Sequence, residues 1–155
     1  MSQKVKPIPD EYHSITPYLI VRGAAAAIDF YTQAFGAVEL FRMAQADGRI
    51  GHAELKIGDS IIMLADEYPE MQIVGPKTLG NSPVGILLYV EDVDIVFGKA
   101  VSLGASVNKP LADQFYGDRS GTVIDPFGHK WTIATHKEDV SEEEMQRRMA
   151  ALSNK

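Results

Sequence analysis

The sequence has no cysteine. That excludes disulfides, thiolate metal ligands and a cysteine nucleophile, and it accords with a cytoplasmic setting. No apolar run approaches the roughly 20 residues that a membrane-spanning helix needs, so no membrane partner is expected. Positive charge is short as well. Fifteen Lys and Arg stand against 21 Asp and Glu, a formal net charge of −6. Binding nucleic acid requires a basic surface, so that partner class is excluded too. The opening MSQKVKPIPD carries Lys4, Lys6, Pro7 and Pro9 but no apolar centre of a secretion signal. Residues 1–13 are expected to be a flexible lead-in.

What is present is ordinary for a soluble globular chain: 45% hydrophobic and 23% charged residues over 155 positions. That length suits one domain, or two fused half-domains with a shared pattern. Ile15 to Val21 is a short apolar strand. Ala24, Ile28, Tyr31 and Phe35 then recur at helical period, and Gly36 stops the helix. Val38 to Ala44, Arg49 to Ile57 and Ser60 to Ala65 follow as strands, with turns at Asp47-Gly48 and Gly58-Asp59. Residues 14–66 thus read βαβββ.

Residues 67–83 are rich in Pro, Gly, Asn and Ser and predict a linker loop. The pattern then recurs over residues 84–137. Val84 to Val90 is a strand, and Asp92 is placed to cap a helix whose apolar face is Val93, Val96, Phe97, Ala100 and Leu103. Ser106 to Ala112, Ser120 to Ile124 and Lys130 to Ala134 supply three more strands. VRGAAAAIDFYTQAFGA at Val21–Ala37 sits opposite VEDVDIVFGKAVSLGA at Val90–Ala105, with the same order of elements. The expected class is α+β, two βαβββ modules forming a curved mixed sheet around a cleft. In residues 138–155, Ser141 to Glu144 matches a capping box, and Met145, Met149 and Leu152 give an apolar stripe. That final helix packs either on its own domain or on a partner subunit.

Gly117 to His136 reads GDRSGTVIDPFGHKWTIATH. Strand formers flank the turn Asp125-Pro126-Phe127-Gly128, so the segment predicts a hairpin. This wording resembles the last hairpin of the vicinal oxygen chelate superfamily, which holds glyoxalase I, extradiol dioxygenases, and fosfomycin and bleomycin resistance proteins. TPYLIV at Thr16–Val21 and FYTQAFGA at Phe30–Ala37 narrow the resemblance to its PhnB-like branch. It covers residues 14–136.

The resemblance implies a divalent metal in a cleft, held by His and Glu on the first and last strands of each half. Such ions take imidazole nitrogen or carboxylate oxygen. Counting from Val21, Val90, Gly128 and Gly58 puts Thr16, Gly85, Thr132 and Ile62 at the four positions. None suits these ions, and shifting by one residue brings no better donor. No metal and no cofactor is therefore expected.

Other residues remain as candidates. His52 and Glu54 lie opposite the Ala53, Leu55 and Ile57 face, so they point into the cleft as a general base or ligand anchor. Their alternative is a partly solvated strand face or a dimer contact. Tyr18 and Tyr89 alternate in phase with Thr16 and Gly85 and should line the cleft, as ligand walls or as filling. Phe115, Tyr116 and Arg119 lie where strand six meets strand seven. Arg119 suits a carboxylate or phosphonate there, or else pairs with Asp118 to hold the turn. Thr132 completes the cleft set, and Trp131, out of phase, belongs under the helix.

The sequence predicts metal-independent binding of a small organic ligand by a homodimer, since each half-sheet leaves apolar surface uncovered. The alternative is a glyoxalase-like lyase, isomerase or oxygenase with a non-standard catalytic set around His52 and Glu54. A third class is a regulatory or structural dimer.

Overall fold

A computed structural model describes residues 4–155. The chain divides into two compact units, one ending at Asn81 and one running from Ser82 to Lys155. Each is a βαβββ module with a four-stranded mixed sheet.

The first unit contains β1 (Tyr18–Val21), α1 (Ala24–Phe35), β2 (Val38–Ala44), β3 (Ile50–Ile57) and β4 (Ser60–Asp66). The strand order is β1-β4-β3-β2. β1 runs parallel to β4, and the other pairs are antiparallel. Strand alternation sorts the side chains. Leu19, Val21, Ala53, Leu55 and Leu64 are buried against Ala27, Ile28, Tyr31 and Phe35 of α1. Each large apolar side chain removed from water there contributes about 1.5–3 kcal/mol. Tyr18, His52 and Glu54 point to the opposite face, and β2 is exposed along its whole length.

The second unit repeats this with β5 (Gly85–Tyr89), α3 (Val93–Ser102), β6 (Ser106–Asp113), β7 (Asp118–Ile124) and β8 (Lys130–His136), in the order β5-β8-β7-β6. Trp131, Ile133, Val123 and Phe97 are buried on the α3 side. A Cβ on Gly121 would overlap the Phe97 ring, so glycine lets that ring reach the sheet.

The two modules cap their helices alike. The Asp66 carboxylate accepts the Gly23 and Ala24 N–H groups at 2.9 Å, at the start of α1. Thr135, at the matching place in β8, accepts the Val93 N–H at 2.9 Å. Asp92 also accepts the Ile95 N–H, as its capping position predicts. Both devices satisfy amides that a helix start leaves without internal partners.

Residues 67–83 hold a short 3₁₀ turn (Pro69–Met71) and a single helical turn, α2 (Pro76–Leu79). The buried Glu67 carboxylate accepts the Gly75 N–H, the Thr78 hydroxyl and the Arg22 guanidinium. The Thr78 bond, with those from Gly75 and Arg22, holds its pKa below the usual carboxylate range. The loop is therefore tied back to the end of β1.

The last helix, α4 (Glu142–Ser153), starts where Ser141 Oγ accepts the Glu144 N–H at 3.2 Å. Arg148 joins it to its unit through the Phe115 carbonyl and Glu138. Met149 and Leu152 are about half exposed, so the apolar stripe is not buried within the unit. Among the described residues no helix is long and apolar enough to cross a membrane.

Candidate functional site

The face of the first sheet opposite α1 carries one cross-strand row. Tyr18 of β1 pairs with Met63 of β4, Met63 with Glu54 of β3, and Glu54 with Phe41 of β2. His52 lies two residues before Glu54 and faces the same way. The phase expected for Tyr18, His52 and Glu54 is the one observed: Leu19, Ala53 and Leu55 are under the helix and these three are not.

These side chains are joined in a chain. The Tyr18 hydroxyl lies 2.8 Å from His52 Nδ1, and His52 Nε2 lies 3.3 Å from Glu54 Oε1. An ionised carboxylate only accepts, so a neutral His52 carries its proton on Nε2. Its Nδ1 then accepts the Tyr18 O–H. Partial burial, with the Glu54 charge nearby, raises the Tyr18 pKa. Tyr18 thus stays a neutral donor and does not become a tyrosinate.

Sequence reasoning missed Tyr12. Its hydroxyl is buried and faces the Glu54 carboxylate. Desolvation, then Glu54, pushes its pKa up to about 12. Pro7, Ile8, Pro9 and Tyr12 face Glu54 and Met63 across an open pocket of about 510 Å³. Lys56 pairs with Glu11 at 3.1 Å, a further tie between these residues and the sheet.

In the second unit Tyr89 and Thr132 lie on the face away from α3. Tyr89 is exposed, and the Thr132 and Thr122 hydroxyls are 2.9 Å apart. Phe115 and Tyr116 form an edge-on ring pair on the turn before β7. A second polar chain went unseen in the sequence. The Tyr89 hydroxyl donates to Asp118 at 2.7 Å, and Asp118 meets His136 Nδ1 at 2.7 Å. His136 Nε2 meets Asp139 at 2.8 Å. The Asp118 bond, seconded by Asp139, raises the His136 pKa. The visible signal was hairpin arithmetic, because Asp118 and His136 pair at equal distances from the turn.

Two expectations are corrected. Arg119 belongs neither to the open face nor to Asp118. It forks onto Asp94 in the first turn of α3, at 2.9 and 3.0 Å, and reaches Asp113 at 3.3 Å. Its side chain follows Thr135, its partner in β8, to the helix side. Ile62 does not occupy an open-face position either. It pairs with Leu55 and is buried on the α1 side. Counting from the glycines fails because the turns differ in length. Two residues separate Ile57 from its partner Ser60, whereas five separate Ile124 from Lys130. The residue matching Thr132 is Met63.

The corrected positions are Thr16, Met63, Gly85 and Thr132. They offer two hydroxyls and a thioether, and Gly85 has no side chain, so they do not fit a hard or borderline divalent ion. Among the described residues no three His, Asp or Glu side chains are grouped to hold a metal.

Comparison with known proteins places these features in context. The model of the glyoxalase/bleomycin resistance protein/dioxygenase superfamily matches residues 12–133. The uncharacterized protein Mb0911c of Mycobacterium bovis is 44% identical over 141 residues, covering 89% of this chain and 93% of that protein. TioX from Micromonospora sp. ML1 superposes with a TM-score of 0.63 at 29% identity, over 80% of this chain and 98% of TioX. A PhnB protein from Bacillus cereus, described as a putative 3-demethylubiquinone-9 3-methyltransferase, gives a TM-score of 0.65 at 19% identity. That match covers 79% of this chain and 99% of the other, and it speaks to fold alone.

Proposed function

The chain belongs to the glyoxalase/bleomycin resistance protein/dioxygenase superfamily, and from that premise we propose that it binds a small organic molecule without a metal ion. The binding surface in this reading is the open face of the first module, at Tyr18, His52 and Glu54. The observation that carries it is the hydrogen-bonded chain among these three beside a pocket of about 510 Å³. Such a site combines apolar walls with a few fixed polar groups, as ligand pockets do. The wording of Thr16–Val21 and Phe30–Ala37 supports a place in the PhnB-like branch. We take it to act in the cytoplasm as a homodimer. The exposed β2 edge, with Val38, Leu40, Phe41 and Met43 open to water, supports self-association.

A second reading is general acid–base catalysis by His52, as in a lyase or isomerase. The Glu54 carboxylate 3.3 Å from His52 Nε2 favours it, because it orients the ring with Nδ1 as the basic nitrogen. One experiment separates the two: a small-molecule library screened by thermal shift, each hit then incubated with the protein and followed by mass spectrometry. Stabilisation without chemical change is expected. Turnover of a hit, abolished in His52→Ala, would replace binding with catalysis. An absence of hits would remove both.

A further inference from the structure

We infer that the pocket between Pro7–Tyr12 and the first sheet selects an organic cation, an ammonium group carried on an apolar body. The inference rests on the binding reading above and specifies its ligand class. Its walls are Pro7, Ile8, Pro9, Tyr12 and Met63, a surface suited to a hydrocarbon or aromatic body. Into it projects one carboxylate, Glu54, with a side chain 24% exposed. His13, also on the lining, is exposed and faces the Ser60 hydroxyl at 3.4 Å. Among the described lining residues Glu54 is the one carboxylate, and no Lys or Arg stands beside it.

Among the described residues no Lys or Arg pairs with Glu54. The nearest cationic side chain on β3, Lys56, is engaged by Glu11 at 3.1 Å. What faces Glu54 is the His52 imidazole at 3.3 Å, longer than a strong charge-assisted bond, and the buried Tyr12 hydroxyl. A partly buried carboxylate without a Lys or Arg partner attracts a cation and repels an anion. An ammonium entering the pocket would meet Glu54, while the Tyr12 ring adds a cation–π surface. The net charge of −6 draws cations from solution in the same sense.

The test uses the full chain and three probes with one phenyl body: phenethylamine, 2-phenylethanol and 3-phenylpropionate at pH 7.5. Binding is read from amide shift changes at Tyr12, Glu54 and Met63. Phenethylamine should bind about tenfold more tightly than the alcohol, the difference one charge-assisted hydrogen bond makes. The propionate should bind least. Glu54→Gln should erase the preference for the amine over the alcohol. The ranking in the unaltered protein stands by itself should that variant fold poorly. Equal binding of amine and alcohol, or tighter binding of the propionate, overturns cation selection while leaving the site intact. No shift at these residues with any probe overturns the site as well.

Discussion

Trp131 donates its indole N–H to Asp125 Oδ2 across 2.9 Å, inside the α3-side core. The other oxygen of the same carboxylate accepts the Phe127 and His129 N–H groups at 2.9 Å. One buried side chain therefore closes the turn and anchors the largest residue of the second core. Asp125→Ala leaves three donors without this acceptor. Two of the three bonds are buried, and losing a buried acceptor costs about 1–3 kcal/mol each, so a loss of about 2 kcal/mol or more is expected. Trp131 is the sole tryptophan, and its emission reports urea unfolding directly. A loss under about 1 kcal/mol would contradict this account of the turn.

Gly117 is held at φ 103°, and a Cβ there would overlap the Glu138 carbonyl oxygen. Its own carbonyl accepts the Lys137 and Glu138 N–H groups, at 2.9 and 3.1 Å. Gly117→Ala should destabilise the protein by more than about 1 kcal/mol. Amide exchange should accelerate first at Lys137 and Glu138. Unchanged exchange at both would show that the chain after β8 absorbs the extra carbon freely.

The phase of the strands was legible in the sequence because period-two alternation has a buried reference. Leu19, Val21, Ala53 and Leu55 must meet α1, which leaves Tyr18, His52 and Glu54 on the other face. The Ile62 position was not legible. A glycine marks a turn without giving its length, and one residue of difference reverses a strand. Arg119 failed for another reason. Its partner, Asp94, comes from a helix 25 positions earlier, and no local pattern couples the two. Tyr12 was hidden because a proline-bearing segment without periodicity gives no sign of which surface it covers.

His136 sits between Asp118 and Asp139, and its raised pKa ties stability to pH. The imidazolium is favoured in the folded state. Its contribution is complete below the unfolded value of about 6.5 and is lost as pH rises through the higher folded value. Asp118→Asn should bring the His136 pKa down, since Asp118 is the larger cause. An NMR titration of the ring protons checks both statements. A His136 pKa at or below about 6.5 in the unaltered protein would show that the Asp118 contact does not persist in solution.

The tautomer of His52 is the sharpest test of the first module's polar chain. At pH 8.5 an ordinary imidazole is neutral and a carboxylate ionised. Glu54 then offers no proton, so the 3.3 Å contact forms only with a proton on Nε2. Nδ1 is left as an acceptor, and the Tyr18 O–H, 2.8 Å away, supplies the donor. A long-range ¹⁵N–¹H spectrum should show Nε2 as pyrrole-like and Nδ1 as pyridine-like. Tyr18→Phe removes the donor to Nδ1, and Glu54→Gln removes the charge that fixes Nε2–H. Glu54→Gln should therefore populate the other tautomer, whereas Tyr18→Phe should leave the proton on Nε2. The arrangement also sets how Tyr18 meets a ligand. While it donates to His52, its oxygen can only accept from a ligand. A proton on Nδ1 of the unaltered protein at pH 8.5 would reverse this direction, with Tyr18 accepting from His52 and Glu54 no longer its partner.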